Sequence, residues 1–273
     1  MDSFQARDKS DLFFHYYPAE SDNVMILLHG ISEDHKYLSP IADFIANENL
    51  AHVYTPDLRG YGKQSIRRGD LDYIGQHEDD LMDFINWINR KHNNPTIILA
   101  GHSAGGGTTL RFAVSSYSEH IHGYLLLAPF IHPFAPTTPK KNENSSSSVS
   151  FIKLLSLMLL NRLRITKFNN WMVYTNNKPE HIQHGRETLQ LSYRLFFSRF
   201  PHLYKDSLKA LHKPTLVLVG DKDEEFVADQ YHPLFTKYNN AKVHMISEAN
   251  HDGILSHPVT YQMTKKWIEE VFQ

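Results

Sequence analysis

The chain reads as an α/β fold with a mostly parallel central sheet and helices on both of its faces. Two observations predict it. Short apolar runs, each the length of a buried strand, recur along the chain, and between them lie stretches whose apolar residues fall at helical spacing. Strands that alternate with helices of that length are joined by crossovers, so they run parallel and both faces of the sheet are covered.

Residues 4–7 and 12–17, split by Asp8-Lys9-Ser10, read as a β-hairpin forming an antiparallel edge. Residues 24–28 are a buried strand followed by His29-Gly30, and Leu38, Ile41, Ala42 and Ile45 mark one helix face. A strand at 52–55 ends at Pro56-Asp57. Leu81, Phe84, Ile85 and Ile88 repeat the helical spacing. The β-branched run 96–100 precedes a helix marked by Leu110, Ala113, Val114 and Tyr117. Strands at 124–128, 215–219 and 242–246 follow, and Met263, Trp267, Ile268 and Val271 mark a closing helix.

One interval breaks this rhythm. Between Phe130 and about Pro214 no strand alternates with a helix. The stretch holds Pro133, Pro136 and Pro139, then the polar run 140–148 ending in four serines, which reads as flexible. A Leu-, Ile- and Met-rich helix at 151–165 follows, with Lys153, Ser156 and Arg164 on one face, and then Leu195, Phe196, Phe197 and Phe200. The expectation is a core domain of residues 1–131 and 206–273 carrying a helical cap insertion at 132–205.

Composition narrows the function classes. The 273 residues carry a net charge of −2, which gives no reason to expect a nucleic acid or an anionic membrane as partner. There is no cysteine, so disulfides, thiolate catalysis and Cys-ligated metals are excluded. No HExxH, EF-hand or GxGxxG pattern appears, and neither a metal nor another cofactor is implied. The N-terminus lacks the basic and apolar regions of a signal peptide, and no apolar run reaches the ~18–20 residues of a membrane span. A soluble, cytoplasmic protein without stable membrane insertion is expected.

Gly101-His102-Ser103-Ala104-Gly105 is a G-x-S-x-G pentapeptide between the strand 96–100 and the helix after it. Strand, sharp turn and helix are the context in which this motif presents a nucleophilic serine. The turn strains the backbone at Ser103, so its neighbours must be small, as Gly101, Ala104, Gly105 and Gly106 are. The helix N-terminus behind it offers amides and partial positive charge to a developing oxyanion.

These residues, with His29-Gly30 and Pro56-Asp57-Leu58-Arg59-Gly60-Tyr61-Gly62, resemble the α/β-hydrolase superfamily. Within it the chain is similar to the branch of monoacylglycerol lipases, lysophospholipases and small carboxylesterases. The likeness is good over 24–117, fair from Thr215 onward and poor through the cap. It implies a Ser, then Asp or Glu, then His order along the chain.

Serine needs a base, and histidine serves best near neutral pH. With 18 histidines, position decides. His251 follows the last strand and resembles the family's histidine loop. His257 is its nearest rival, but Pro258 opens the final helix there. His102 lies inside the elbow with its side chain expected to point away from the pocket. Gly220-Asp221-Lys222-Asp223-Glu224 offers three carboxylates, of which the family pattern selects Asp223, leaving Asp221 as a turn residue. For the oxyanion hole the resemblance implies the backbone amides of Ala104 and Ile31. The ring of His29 reads as a pin for its loop, and Asp57 and Arg59 as fixtures of neighbouring loops.

Together these residues imply a serine hydrolase acting on a small-molecule ester, lipid-like substrates included, through an acyl-enzyme on Ser103. A thioesterase or amidase on the same fold is the alternative, and a non-catalytic binding protein is the third reading. Residues 154–160 with Phe196, Phe197 and Phe200 fit either an acyl pocket or the cap's own core. Lys153, Arg162 and Arg164 read as a solvated face, with docking on a membrane surface as the alternative.

Overall fold

A computed structural model describes residues 1–140 and 147–272. Strand β1 (Asp2–Gln5) pairs antiparallel with β2 (Asp11–Tyr17), the hairpin of the expected edge. Six further strands run parallel: β3 (Asn23–Leu28), β4 (His52–Pro56), β5 (Thr96–His102), β6 (Gly123–Leu127), β10 (Thr215–Gly220) and β11 (Lys242–Ile246). The order across the sheet is β1-β2-β4-β3-β5-β6-β10-β11.

Side-chain alternation sorts the parallel strands between two cores. Val24, Ile26 and Leu28 face one side of the sheet, and Met25 and Leu27 the other. The first side is covered by α2 (Gln76–His92), α3 (Ala104–Ala113) and α7 (Tyr231–Tyr238), through residues such as Phe84, Ile88, Phe112 and Phe235. The second is covered by α1 (Ser39–Asn47) and α8 (Pro258–Phe272), through Ile41, Ile45, Trp267 and Ile268. The helix expected to run on past Val114 ends at Ala113, where the chain turns.

The strand order determines where a site can form. The chain steps from β3 to β4 on one side, then returns to place β5 on the other. The loops after β3 and β5 therefore diverge and leave a crevice at the carboxyl ends of these two strands. His29-Gly30-Ile31 leaves β3 there, and Ser103 leaves β5.

The interval read as a helical insertion carries helices and also a small antiparallel sheet. Strands β7 (Ser147–Val149), β8 (Met172–Asn176) and β9 (Gln190–Ser192) pair in sequence, and α4 (Phe151–Arg162), α5 (Tyr193–Phe197) and α6 (Tyr204–Lys209) accompany them. Strands of three to five residues are too short to show a period of two in the sequence. The polar run falls partly outside the described residues. Arg164 lies beyond the end of α4 at φ 62°, so it does not share a helix face with Lys153. Phe196 and Phe200 are buried in the first core, whereas of residues 154–160 only Leu157 is fully covered. This segment is tied to the core domain by ion pairs, among them Arg194 with Asp70 at 2.6 Å and Arg186 with Asp34 at 2.9 Å.

Candidate active site

The elbow follows from its glycines. A Cβ at Gly105 would lie 2.2 Å from the carbonyl oxygen of Leu28, and one at Gly101 would lie 2.3 Å from the backbone of Gly105. Only hydrogen fits at either position, so β5 can turn into α3 within a single residue. That residue is Ser103, at φ 54° and ψ −122°. Such a conformation costs about 1–3 kcal/mol in a residue with a side chain. It is held by the Ser103 amide donating to Leu127 O at 3.0 Å and by Phe130 N–H donating to Ser103 O at 2.8 Å.

The loop after β10 and the loop after β11 are built together. Asp221 accepts from the Glu248 amide at 2.7 Å, and Lys222 N–H donates to Ala249 O at 3.0 Å. Asp223 Oδ1 accepts from the amides of Glu225 and Phe226 at 2.9 and 2.8 Å. Its Oδ2 accepts from His251 Nδ1 at 2.9 Å, with the carboxylate wholly covered. Glu224 accepts from the His251 amide at 3.0 Å. Each of the three acids in this loop thus has its own task, and only Asp223, the one that the family resemblance selects, meets the imidazole.

With Asp223 as acceptor, Nδ1 of His251 carries a proton and Nε2 keeps a lone pair. Burial works against the charged imidazole, but the hydrogen bond and charge of Asp223, with Asp252 and Glu225 nearby, outweigh it and hold the pKa above 6.5. Ser103 Oγ makes no hydrogen bond to His251 among the described residues. In a resting enzyme this contact is often long and tightens only around substrate.

His102 brings the two loops together, a part that the sequence did not suggest. Its Nε2–H donates to the carbonyl of His251 at 2.9 Å, and its ring packs on that of His251 with centroids 4.7 Å apart. Its Nδ1 accepts from the Tyr37 hydroxyl at 2.7 Å, and that hydroxyl accepts from Gly30 N–H at 2.7 Å. A directed chain of hydrogen bonds therefore runs from the β3 loop through the elbow to the histidine loop. Both ring nitrogens are used by a neutral imidazole, and burial pushes the pKa of His102 well below 6.5.

The β3 loop is pinned as the sequence suggests. His29 Nδ1–H donates to Gly30 O at 2.8 Å, and Nε2 accepts from Leu58 N–H at 3.1 Å. Burial, helped by the charge of Arg199, pushes its pKa down to about 3. A Cβ at Gly30 would stand 3.4 Å from that of Ser103, so this loop passes directly against Ser103. The amides of Ile31 and Ala104 donate to no described residue. His35 donates to Asp57 at 2.8 Å, and Arg59 pairs with Asp80 at 2.8 Å.

Arg199 is a second residue that the sequence did not suggest. It is fully buried, lies over the Tyr61 ring at 5.0 Å and donates to His29 O at 2.6 Å. Its Nε and Nη1 have no partner among the described residues. A buried cation thus braces the β3 loop from the side of the inserted segment. Nothing in the sequence around Arg199 sets it apart from other arginines.

Phe226 lies edge-on to His251 at 5.1 Å and stacks on Phe130, which in turn meets Phe200. These rings form an apolar wall beside His251. A recess of about 640 Å³ lined by Asp57, Arg59, Tyr61 and Arg67 opens elsewhere and contains neither Ser103 nor His251. Four of the acids that line it, Asp57, Asp8, Asp72 and Asp70, are paired with His35, Arg59, Arg67 and Arg194. His102, His251 and Asp252 bring three ligand atoms within 4.8 Å. Three of the four imidazole nitrogens are already hydrogen-bonded, so this donor set does not suit a metal ion.

The family described as serine aminopeptidase, S33, matches residues 19–255. A Mycoplasma genitalium protein named as an esterase/lipase is 23% identical over 229 residues, which are 79% of this chain and 78% of that one. Among solved structures, a monoacylglycerol lipase of Paleococcus ferrophilus superimposes with a TM-score of 0.70 at 18% identity, covering 96% of this chain and 99% of that one. A monoglyceride lipase of Saccharomyces cerevisiae gives 0.69 at 17% identity, covering 96% and 92%.

Proposed function

The chain belongs to the S33 serine aminopeptidase family and is a serine hydrolase of the esterase/lipase type, and on that premise we propose that Ser103, His251 and Asp223 cleave carboxylic esters through an acyl-enzyme. The single observation that carries this reading is the covered His251–Asp223 pair at 2.9 Å, on a loop that His102 ties to the elbow of Ser103.

Nε2 of His251 takes the proton of Ser103 as Oγ attacks the ester carbonyl. Asp223 keeps the other proton on Nδ1 and stabilises the imidazolium that forms. Negative charge gathers on the former carbonyl oxygen, where the amides of Ala104 and Ile31 receive it, each worth about 3 kcal/mol of barrier. His251 returns the proton to the leaving alkoxide. It then activates the water that releases the acid and frees Ser103.

Substrates with an uncharged, hydrocarbon-rich acyl group fit the aromatic wall of Phe226, Phe130 and Phe200. The esterase/lipase name of the Mycoplasma relative supports esters as the bond class. Cleavage of an amide bond is the second reading, favoured by the family's own description as aminopeptidases. The test is turnover of p-nitrophenyl esters from acetate to palmitate beside amino-acid p-nitroanilides, for wild type and Ser103→Ala. Ester release that vanishes in the variant is expected. Release only from the anilides would replace the esterase by a peptidase. No turnover, with no fluorophosphonate label on Ser103, would leave a binding protein on this fold.

A further inference from the structure

Helix α4 turns an apolar surface outward. Of its twelve residues only Leu157 is buried, with Leu154 and Leu160 partly packed beside it. Phe151, Ile152, Leu155, Leu159 and Leu163 are between 61% and 82% exposed. Ile152, Leu155, Leu159 and Leu163 succeed one another at steps of three and four, so they form one continuous stripe. A contiguous apolar surface of this kind marks an interaction site rather than free solvent contact.

The charges around it identify what it meets. From Asn144 to Pro179 the sequence contains no Asp or Glu but five basic residues, in a chain whose net charge is −2. Lys178 is paired with Glu187 at 2.9 Å. Lys153, Arg162, Arg164 and Lys167 are exposed and form no ion pair among the described residues. Lys153 Nζ reaches Met172 O at 3.4 Å, which brings its charge beside the exposed Trp171. The Trp171 ring meets Phe168 at 5.1 Å, and Lys167 lies over Phe168 at 4.8 Å. An apolar stripe bordered by cations and a tryptophan is the composition of a helix lying at a boundary between hydrocarbon and water. Leucines enter the acyl region there, Trp sits at headgroup level, and Lys and Arg reach the phosphates.

We propose that α4, with Lys153, Arg162, Arg164, Lys167 and Trp171, docks the protein on a lipid surface rich in anionic headgroups. Charge decides between the occupants. A second copy placed by a two-fold axis would set these four cations against the same four, whereas an anionic membrane complements both the charges and the stripe. No helix among the described residues is long and apolar enough to cross a membrane, and α4 with its twelve residues lies in the surface plane.

The test is co-sedimentation of the full chain carrying Ser103→Ala with vesicles of phosphatidylcholine alone and of phosphatidylcholine with an equal amount of phosphatidylglycerol. Binding to the anionic vesicles that weakens with salt is expected. Ile152→Glu with Leu163→Glu should reduce it roughly a hundredfold, as two large side chains leave the acyl region. Arg162→Gln and Arg164→Gln should each cost roughly fivefold on anionic vesicles alone. With Ser103 intact, the double Glu variant should hydrolyse a soluble ester at the wild-type rate, which also shows that it is folded. Absence of vesicle binding would overturn the proposal. So would a wild-type dimer that the double variant converts to monomer, which would assign the stripe to a second copy. Vesicle binding is read without turnover, so failure of the hydrolase reading would leave this result standing.

Discussion

The elbow region and helix α4 reverse the ordinary rule of inside and outside in opposite directions. Around Ser103 the polar side chains are buried: His29, His102 and His251 and the carboxylate of Asp223 are covered, and all are hydrogen-bonded. On the outer face of α4 the apolar side chains of Ile152, Leu155 and Leu159 are exposed. Buried polar groups without partners cost stability, and so do apolar groups in water, so each departure marks a function. In the first region the function is a geometry, which needs rigidity. In the second it is a surface, which needs only accessibility. Substitutions should therefore act on activity in the first region and, along the exposed stripe of α4, on neither activity nor stability.

The largest effect should come from Asp223→Asn. Loss of the acceptor and its charge should lower kcat by about 10⁴ and bring the His251 pKa down from its raised value. The acid limb of kcat/KM against pH, read beside wild type, checks both. Activity within tenfold of wild type would pass the role to Asp221 or Glu224.

Next is a contrast inside α4 itself. Leu157→Ala should cost about 2–5 kcal/mol of unfolding free energy, because Leu157 is fully enclosed. Leu155→Ala, two residues away and 63% exposed, should change it by less than about 0.5 kcal/mol. Urea denaturation of the two variants measures both. Equal costs would mean that the outer face of α4 is packed in solution.

An effect spread over several buried groups should be a stability maximum near pH 6.5. His29, His77 and His102 are held neutral by burial, with pKa values lowered to about 3 or well below 6.5. Unfolding below pH 6.5 therefore takes up protons, and stability falls with pH by about 1.4 kcal/mol per unit for each such histidine. His35 and His251, whose pKa values are raised beside Asp57 and Asp223, act with the opposite sign. Their contribution is complete below pH 6.5 and is lost as pH rises through their folded values. Thermal melts across pH 4–9 would show the maximum, and a flat acid side would mean that the three buried rings gain partners on protonation.

Much of this was legible in the chain. The parallel strands appeared as short apolar runs because they are buried on both faces, and the helices as stripes because one face of each meets the sheet. Ser103 stood out because steric crowding at its turn dictates glycines at 101 and 105. The small sheet of β7, β8 and β9 did not show, since three-residue strands carry no period. His102 was expected to point away from the pocket, yet its ring packs on that of His251, because nothing local in the sequence shows that a ring at this turn bridges two loops.

The sequence by itself determined the elements, the elbow and the candidate chemistry, because each depends on residues close along the chain or on steric rules of a single turn. The family resemblance singled out Asp223, but only the tertiary structure brings its carboxylate to His251, joins the three loops through Tyr37 and His102, and braces the β3 loop by Arg199 from the inserted segment. It also decided that the leucines of α4 face outward. The bonds of Asp223 to His251, Tyr37 to His102, His102 to His251 and Arg199 to His29 join residues separated by 28 to 170 positions, and only the packing of the sheet fixes their directions and distances.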